Sequence, residues 1–141
     1  MKLLVCAMEA SSNIHLKELK KYLNNDVELV GVFDKELGNP LYDLTALAIM
    51  GIVDALKKLR FFFKLRDELV VLAKDCDKIL LMDSSGFNLP LAKKLRETYP
   101  NKEIIYYILP QAWDWKKGRV AKLEKYCTKL CSIIPFESEM Y

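Results

Sequence analysis

Apolar positions gather in five short runs, at residues 3–7, 27–33, 78–82, 103–109 and 131–134. Most of these runs are near-continuous and do not alternate, the pattern of strands covered on both faces, as in a parallel sheet. Between them the period becomes that of a helix. Residues 13–23 carry Ile14, Leu16, Leu19, Tyr22 and Leu23 on one side and Lys17, Lys20 and Lys21 on the other. Residues 88–99 and 115–127 repeat the arrangement. Strand alternating with helix predicts an α/β domain with a doubly wound, mainly parallel, five-stranded Rossmann-like sheet, filling residues 1–141 as a single domain. In such sheets functional groups collect beyond the carboxyl ends of the strands.

The stretch between the second and third runs departs from this rhythm and reads as a helical insert. Two helices are expected, over residues 45–59 and 61–73, with a bend near Arg60. The first is unusually apolar from Leu44 to Val53; Lys57, Lys58, Arg60, Phe61, Phe62, Phe63, Lys64 and Arg66 follow. Successive helical residues point about 100° apart, so three consecutive Phe cannot share one core and at least one should be exposed. Bases interleaved with aromatics are the composition of a membrane-interface surface. The alternative is that the three rings pack on the sheet and on each other.

Composition narrows the class. Of 141 residues 52% are apolar, enough for a core and too many for a disordered chain. Lysines and arginines number 22 against 19 acids, a net charge of +3, which does not suggest a nucleic-acid partner. Cys6, Cys76, Cys127 and Cys131 form no CxxC pair and His15 is the single histidine, so no zinc site is expected and the thiols read as reduced; with no second carboxylate beside Asp83, no other metal is expected. The first apolar run meets Glu9 too soon for a signal peptide, and no run is long enough to span a membrane.

Three strand-end loops carry the candidate chemistry. After the first strand, Glu9-Ala10-Ser11-Ser12-Asn13 leads into a helix. It reads either as an anion site at a helix start or as a plain N-cap by Ser11, Ser12 or Asn13. After the third, Asp83 opens Asp83-Ser84-Ser85-Gly86. A carboxylate at the end of a buried strand suits a general base for a hydroxyl, and the same residues are good turn formers. After the fourth come Pro110, Gln111, Trp113, Trp115 and Arg119. Flat rings there suit sugar rings or acyl chains, with Gln and Arg giving directional hydrogen bonds, or they form an aromatic corner under a loop.

Taken in order, these segments resemble the lipid-A-disaccharide synthase family. Glu9-Ala10-Ser11 and His15 match its Gly-Glu-Ala-Ser-Gly-Asp-x-His loop. Leu47-Ala48-Ile49-Met50-Gly51-Ile52-Val53-Asp54-Ala55-Leu56 is similar to its Leu-Ala-Val-Met-Gly-Leu-x-Glu-Val-Leu helix. Met82-Asp83-Ser84-Ser85-Gly86-Phe87-Asn88 resembles Ile-Asp-x-Pro-Asp-Phe-Asn. Tyr106 to Trp115, through Pro110-Gln111-Ala112-Trp113, resembles Tyr-Tyr-Val-Ser-Pro-Gln-Val-Trp-Ala-Trp. Pro135-Phe136-Glu137 and Tyr141 match the segment after the fifth strand. Met8 and Ser12 replace loop glycines, Asn13 stands where the family carries Asp, and Gly86 replaces the second Asp of the third-strand motif.

The resemblance implies the amino-terminal, acceptor-side half of a type-B glycosyltransferase, truncated before the nucleotide-sugar domain and inactive without a second domain or subunit. The expected chemistry moves diacylglucosamine from its UDP carrier to the 6-hydroxyl of diacylglucosamine 1-phosphate, with no cofactor. In that chemistry Asp83 is the expected base, or an electrostatic partner at the anomeric centre. The resemblance assigns Glu9, Ser11 and Asn13 to the acceptor side, and Gln111, Trp113 and Arg119 to the cleft floor. Lys57, Lys58, Arg60, Phe61, Phe62 and Phe63 would meet an anionic membrane surface, on the cytoplasmic side of a Gram-negative inner membrane. A complementary carboxyl-terminal glycosyltransferase chain is the expected partner. The alternatives are a non-catalytic lipid- or saccharide-binding module and an unrelated flavodoxin-like domain binding a nucleotide or a protein.

Overall fold

The computed structural model describes residues 1–43, 55–82, 84–107 and 124–131. In chain order its elements are β1 (Lys2–Ala7), α1 (Ala10–Lys20), β2 (Glu28–Val32), α2 (Ala55–Ala73), β3 (Lys78–Met82), α3 (Ser85–Thr98), β4 (Glu103–Tyr107) and β5 (Lys129–Cys131). A short 3-10 turn over Lys35–Leu37 follows β2. All described strand pairs are parallel, in the order β2-β1-β3-β4-β5. This is the doubly wound Rossmann-like sheet that the runs of apolar residues predict.

The continuous runs bury both faces of the sheet, and their alternation decides which helix lies where. In β1 every residue from Leu3 to Ala7 is buried. Leu4 and Cys6 join Ile79, Leu81, Ile104 and Tyr106 in a core shared with Leu65, Leu69 and Ala73 of α2 and Leu91 and Leu95 of α3. Leu3, Val5 and Ala7 point the other way, with Leu80 and Met82, onto Leu16 of α1. Each fully buried leucine contributes about 1.5–3 kcal/mol over an exposed one, so both layers are needed.

The pairing of the edge strand β2 with β1 depends on one glycine. Gly31 has φ +117°, and a Cβ there would collide with the Val5 carbonyl of the neighbouring strand. Only glycine allows β2 to lie this close to β1 in that conformation.

Several expected boundaries move. α2 runs unbroken through Arg60, so the bend expected there is absent. The reason is local: residues 55–73 contain no Pro or Gly, and Leu65, Leu69 and Ala73 form one buried stripe at four-residue spacing. α1 and α3 each begin three residues earlier than expected, at Ala10 and Ser85. β5 begins at Lys129, where the Lys129 ammonium meets Glu103 at 2.9 Å and draws the strand into register with β4. The remainder of the fifth expected strand, the apolar stretch 44–54 and most of the expected helix over 115–127 lie outside the described residues, apart from a helical turn at 124–126.

Candidate functional site at the carboxyl edge of the sheet

In this strand order the connections diverge between β1 and β3, since β1 leads to β2 on one side and β3 leads to β4 on the other. A crevice at such a point, beyond the carboxyl ends, is where open α/β sheets place ligands. Ala7 and Met82 are paired partners at the ends of the two strands, and the Glu9 and Ser84 side chains meet just beyond them.

Two asparagines set this edge. The Asn13 amide in α1 donates to the Ala7 carbonyl at 2.9 Å and to the Glu9 carbonyl at 2.8 Å. Its oxygen accepts from the Asp34 backbone N–H at 2.7 Å, tying in the exit of β2. Asn88 in α3 likewise donates to the Met82 carbonyl at 3.0 Å. Each helix thus reaches back six residues to hold the last carbonyl of its own strand. Asn13 and Asn88 are buried. The sequence reading puts Asn13 on the acceptor side; the structure turns its polar atoms inward, where they fix the Glu9 loop.

The N-cap expected from Ser11, Ser12 or Asn13 is replaced by Glu9, whose side chain makes no capping bond. Glu9 is exposed and accepts instead from the Ser84 hydroxyl at 3.1 Å, across the point where the strands diverge. Ser84 is the N-cap of α3 and adopts φ 42°, ψ 55°, a left-handed conformation unusual for a non-glycine residue. Such a backbone costs of order 1–3 kcal/mol. It curls the chain tightly out of β3, so that the Phe87 and Asn88 N–H groups both reach the Ser84 carbonyl, at 3.0 and 2.9 Å. It also frees the hydroxyl to reach Glu9 in place of capping its own helix.

Ser11 is exposed beside Glu9 in the first turn of α1, and Ser12 is buried with no hydrogen-bond partner for its hydroxyl among the described residues. The first-turn N–H groups of both helices have no intrahelical acceptor and suit an anion or an electron-rich oxygen. The edge therefore combines an exposed carboxylate, which can accept from a sugar hydroxyl, with two helix starts. His15, further along α1, has its ring 6.2 Å from that of Tyr107, in a T-shaped pair. Asp83, between Met82 and Ser84 in the chain, and Gln111, Trp113 and Arg119 lie outside the described residues. Sequence reading passed over Ser84 as one turn former among several; its pairing with Glu9 spans 75 residues and has no local signature.

The insert separates its three phenylalanines. Tyr42, Phe61, Phe62 and Phe87 form a chain of ring contacts at 5.2, 5.6 and 5.8 Å, and Phe61 and Phe62 pack against the core. Phe63 is 49% exposed, with the Arg66 guanidinium 5.1 Å from its ring centre. Lys57, Lys58 and Arg60 are exposed. Among the described residues no helix is long and apolar enough to cross a membrane.

The thiols are shielded. Cys6, Cys76 and Cys127 are free and buried. Burial raises the pKa of all three, that of Cys127 to about 12 against a small opposing pull from Arg96. At the opposite edge, hydrogen bonds from Lys129 and Lys78 hold the Glu103 carboxyl below the usual range.

Comparison with known proteins adds to this geometry. A family model described as lipid-A-disaccharide synthetase matches residues 3–141. The chain is 52% identical over 139 residues to a lipid-A-disaccharide synthase of Helicobacter pylori (strain HPAG1), covering 99% of this chain and 38% of that relative. It is 49% identical over 139 residues to the synthase of Helicobacter acinonychis, with the same coverage. Against the synthase of Campylobacter jejuni (strain RM1221) it is 39% identical over 150 residues, covering 98% of this chain and 41% of the relative. The chain thus spans well under half the length of these relatives.

Proposed function

Because this chain belongs to the lipid-A-disaccharide synthetase family, a family of type-B glycosyltransferases, we propose that it is the acceptor-side half of such an enzyme. The unrelated flavodoxin-like domain is thereby set aside. The proposed reaction moves diacylglucosamine from UDP to the 6-hydroxyl of diacylglucosamine 1-phosphate, in lipid A biosynthesis. The observation that carries the site assignment is the Ser84–Glu9 bridge at 3.1 Å, which fixes an exposed carboxylate where β1 and β3 diverge.

In this reading Asp83 takes the proton of the 6-hydroxyl as its oxygen attacks the anomeric carbon and UDP departs. Proton removal strengthens the nucleophile only if the base lies within hydrogen-bond reach; in the chain Asp83 directly follows Met82, the strand partner of Ala7. Glu9 and Ser11 orient the acceptor hydroxyls, and Asn13 acts beneath them by holding the Glu9 loop. Gln111, Trp113 and Arg119 complete the floor. The donor's nucleotide is held by a complementary carboxyl-terminal domain or chain, so the isolated chain turns over negligibly. Phe63, with Lys57, Lys58 and Arg60, rests the insert on an anionic membrane at the cytoplasmic side of the inner membrane. Each such base contributes about 1 kcal/mol near the surface.

Calorimetric titration of the chain with diacylglucosamine 1-phosphate tests the acceptor assignment. Binding that weakens about ten-fold or more in Glu9→Gln is the expected result. Equal affinity of the two proteins would refute it.

A further inference from the structure

Ser84 departs in two ways from what its own turn requires. Its backbone occupies the left-handed region that glycine enters freely, and it is the one non-glycine residue with positive φ among the described residues. It is also the N-cap of α3, where a serine hydroxyl ordinarily accepts from a helix N–H, yet it makes no capping bond. One contact accounts for both departures: Oγ donates to Glu9 Oε1 at 3.1 Å. That contact is exposed, where water offers both atoms similar partners, so it adds little to folding stability. Both of its ends are fixed at the backbone. The Glu9 carbonyl accepts from the Asn13 backbone N–H at 3.2 Å and from the Asn13 amide at 2.8 Å. The Ser84 carbonyl accepts from the Phe87 and Asn88 N–H groups. What these bonds leave open is the direction of the exposed Glu9 side chain, which turns about three single bonds. The Ser84 hydroxyl holds one direction.

We propose that Ser84 is a positioning residue of this edge, whose strained turn and diverted hydroxyl aim the Glu9 carboxylate at the hydroxyls of an incoming acceptor sugar. The inference rests on the acceptor reading given above and adds to it a residue that touches no substrate: Ser84 acts through Glu9. A carboxylate already held does not lose its rotational freedom when the sugar arrives. Freezing one such side chain corresponds to about two- to ten-fold in affinity. Folding and positioning then depend on different parts of one residue. The backbone of Ser84 governs the stability of the turn, since a left-handed residue without strain would be more stable there. Its hydroxyl governs the site.

Three substitutions separate the two. Ser84→Gly relieves the backbone and removes the hydroxyl. Ser84→Ala keeps the strain and removes the hydroxyl. Ser84→Asn tolerates the left-handed region and supplies an amide donor. Thermal melts of the 141-residue chain read stability, and calorimetric titration with diacylglucosamine 1-phosphate reads affinity. Ser84→Gly should melt at or above wild type and Ser84→Ala below it. Affinity should not follow that order: Ser84→Gly and Ser84→Ala should both bind about three-fold or more weakly than wild type, and Ser84→Asn should recover most of the loss. In a Glu9→Ala background, Ser84→Ala should have no further effect on affinity. Ser84→Gly binding as tightly as wild type would overturn the inference. So would Ser84→Asn binding no better than Ser84→Ala, or a Ser84→Ala loss that persists in Glu9→Ala. A Glu9→Ala protein that binds as tightly as wild type would bring down the acceptor reading and this inference together. A weakened Glu9→Ala beside an unaffected Ser84→Ala would overturn this inference alone.

Discussion

Asn13→Ala separates the architecture of the carboxyl edge of the sheet from its proposed chemistry. Asn13 makes three hydrogen bonds, at 2.7–2.9 Å, that join the end of β1, the Glu9 turn and the exit of β2. A buried hydrogen bond contributes a net 0.5–1.5 kcal/mol or so, and a buried group left unpaired costs about 1–3 kcal/mol. Truncation removes three bonds and strands the Ala7 carbonyl in the core, while the Glu9 carbonyl and the Asp34 N–H recover some water. The expected loss is therefore about 2–4 kcal/mol. At about 4 °C per kcal/mol for a chain of this size, the melting temperature should fall by about 8–16 °C. Ser11→Ala is the matched control: exposed, two residues away, and expected to lie within about 0.5 kcal/mol of wild type. Urea unfolding followed by circular dichroism reads both. An Asn13→Ala protein within 0.5 kcal/mol of wild type would refute the claim that this amide holds the loop.

Other outcomes follow from the same geometry. Gly31→Ala should unfold or severely destabilise the protein in thermal melts, because its Cβ would strike the Val5 carbonyl. Phe62→Ala should cost about 3 kcal/mol in urea unfolding, as a ring packed between Phe61 and Phe87, whereas Phe63→Ser should change stability by under about 1 kcal/mol and weaken sedimentation with anionic vesicles. The Glu103 pKa is depressed in the folded state, so its contribution is present above the unfolded value near 4.5 and is lost as pH falls through the folded value. Glu103→Gln should remove that part of the acid-side loss, seen as a flatter stability profile below pH 5. Cys6 and Cys127 should resist iodoacetamide at pH 8 in the native protein and react in urea, as read by mass spectrometry.

What the sequence reveals and conceals follows from the range of each interaction. β3 is legible to the residue because an apolar run from Ile79 to Met82 is bracketed by Asp77 and Asp83, a signal contained in the run itself. The starts of α1 and α3 are misread for a shared reason. Asn13 and Asn88 look like caps, but each sits one turn inside its helix and bonds backward to a strand carbonyl. Cap preference is local, and here a tertiary contact takes precedence. No bend forms near Arg60, because the continuous stripe of Leu65, Leu69 and Ala73 holds one unbroken helix on the core. Glu9 was legible as a strand-end carboxylate, but Ser84 was not, since only the pairing of Ala7 with Met82 brings the two loops together.

The central claim is that this chain supplies the acceptor side and the base of a glycosyl transfer. The most direct test is a chimera in which residues 1–141 replace the matching segment of the Helicobacter pylori relative, assayed for disaccharide formation and UDP release. The account predicts turnover by the chimera, none by the isolated chain, and a loss of about 100-fold or more in Asp83→Asn, in the range expected for removal of a general base. A folded chimera without activity, or one whose rate is indifferent to Asp83→Asn, would contradict it.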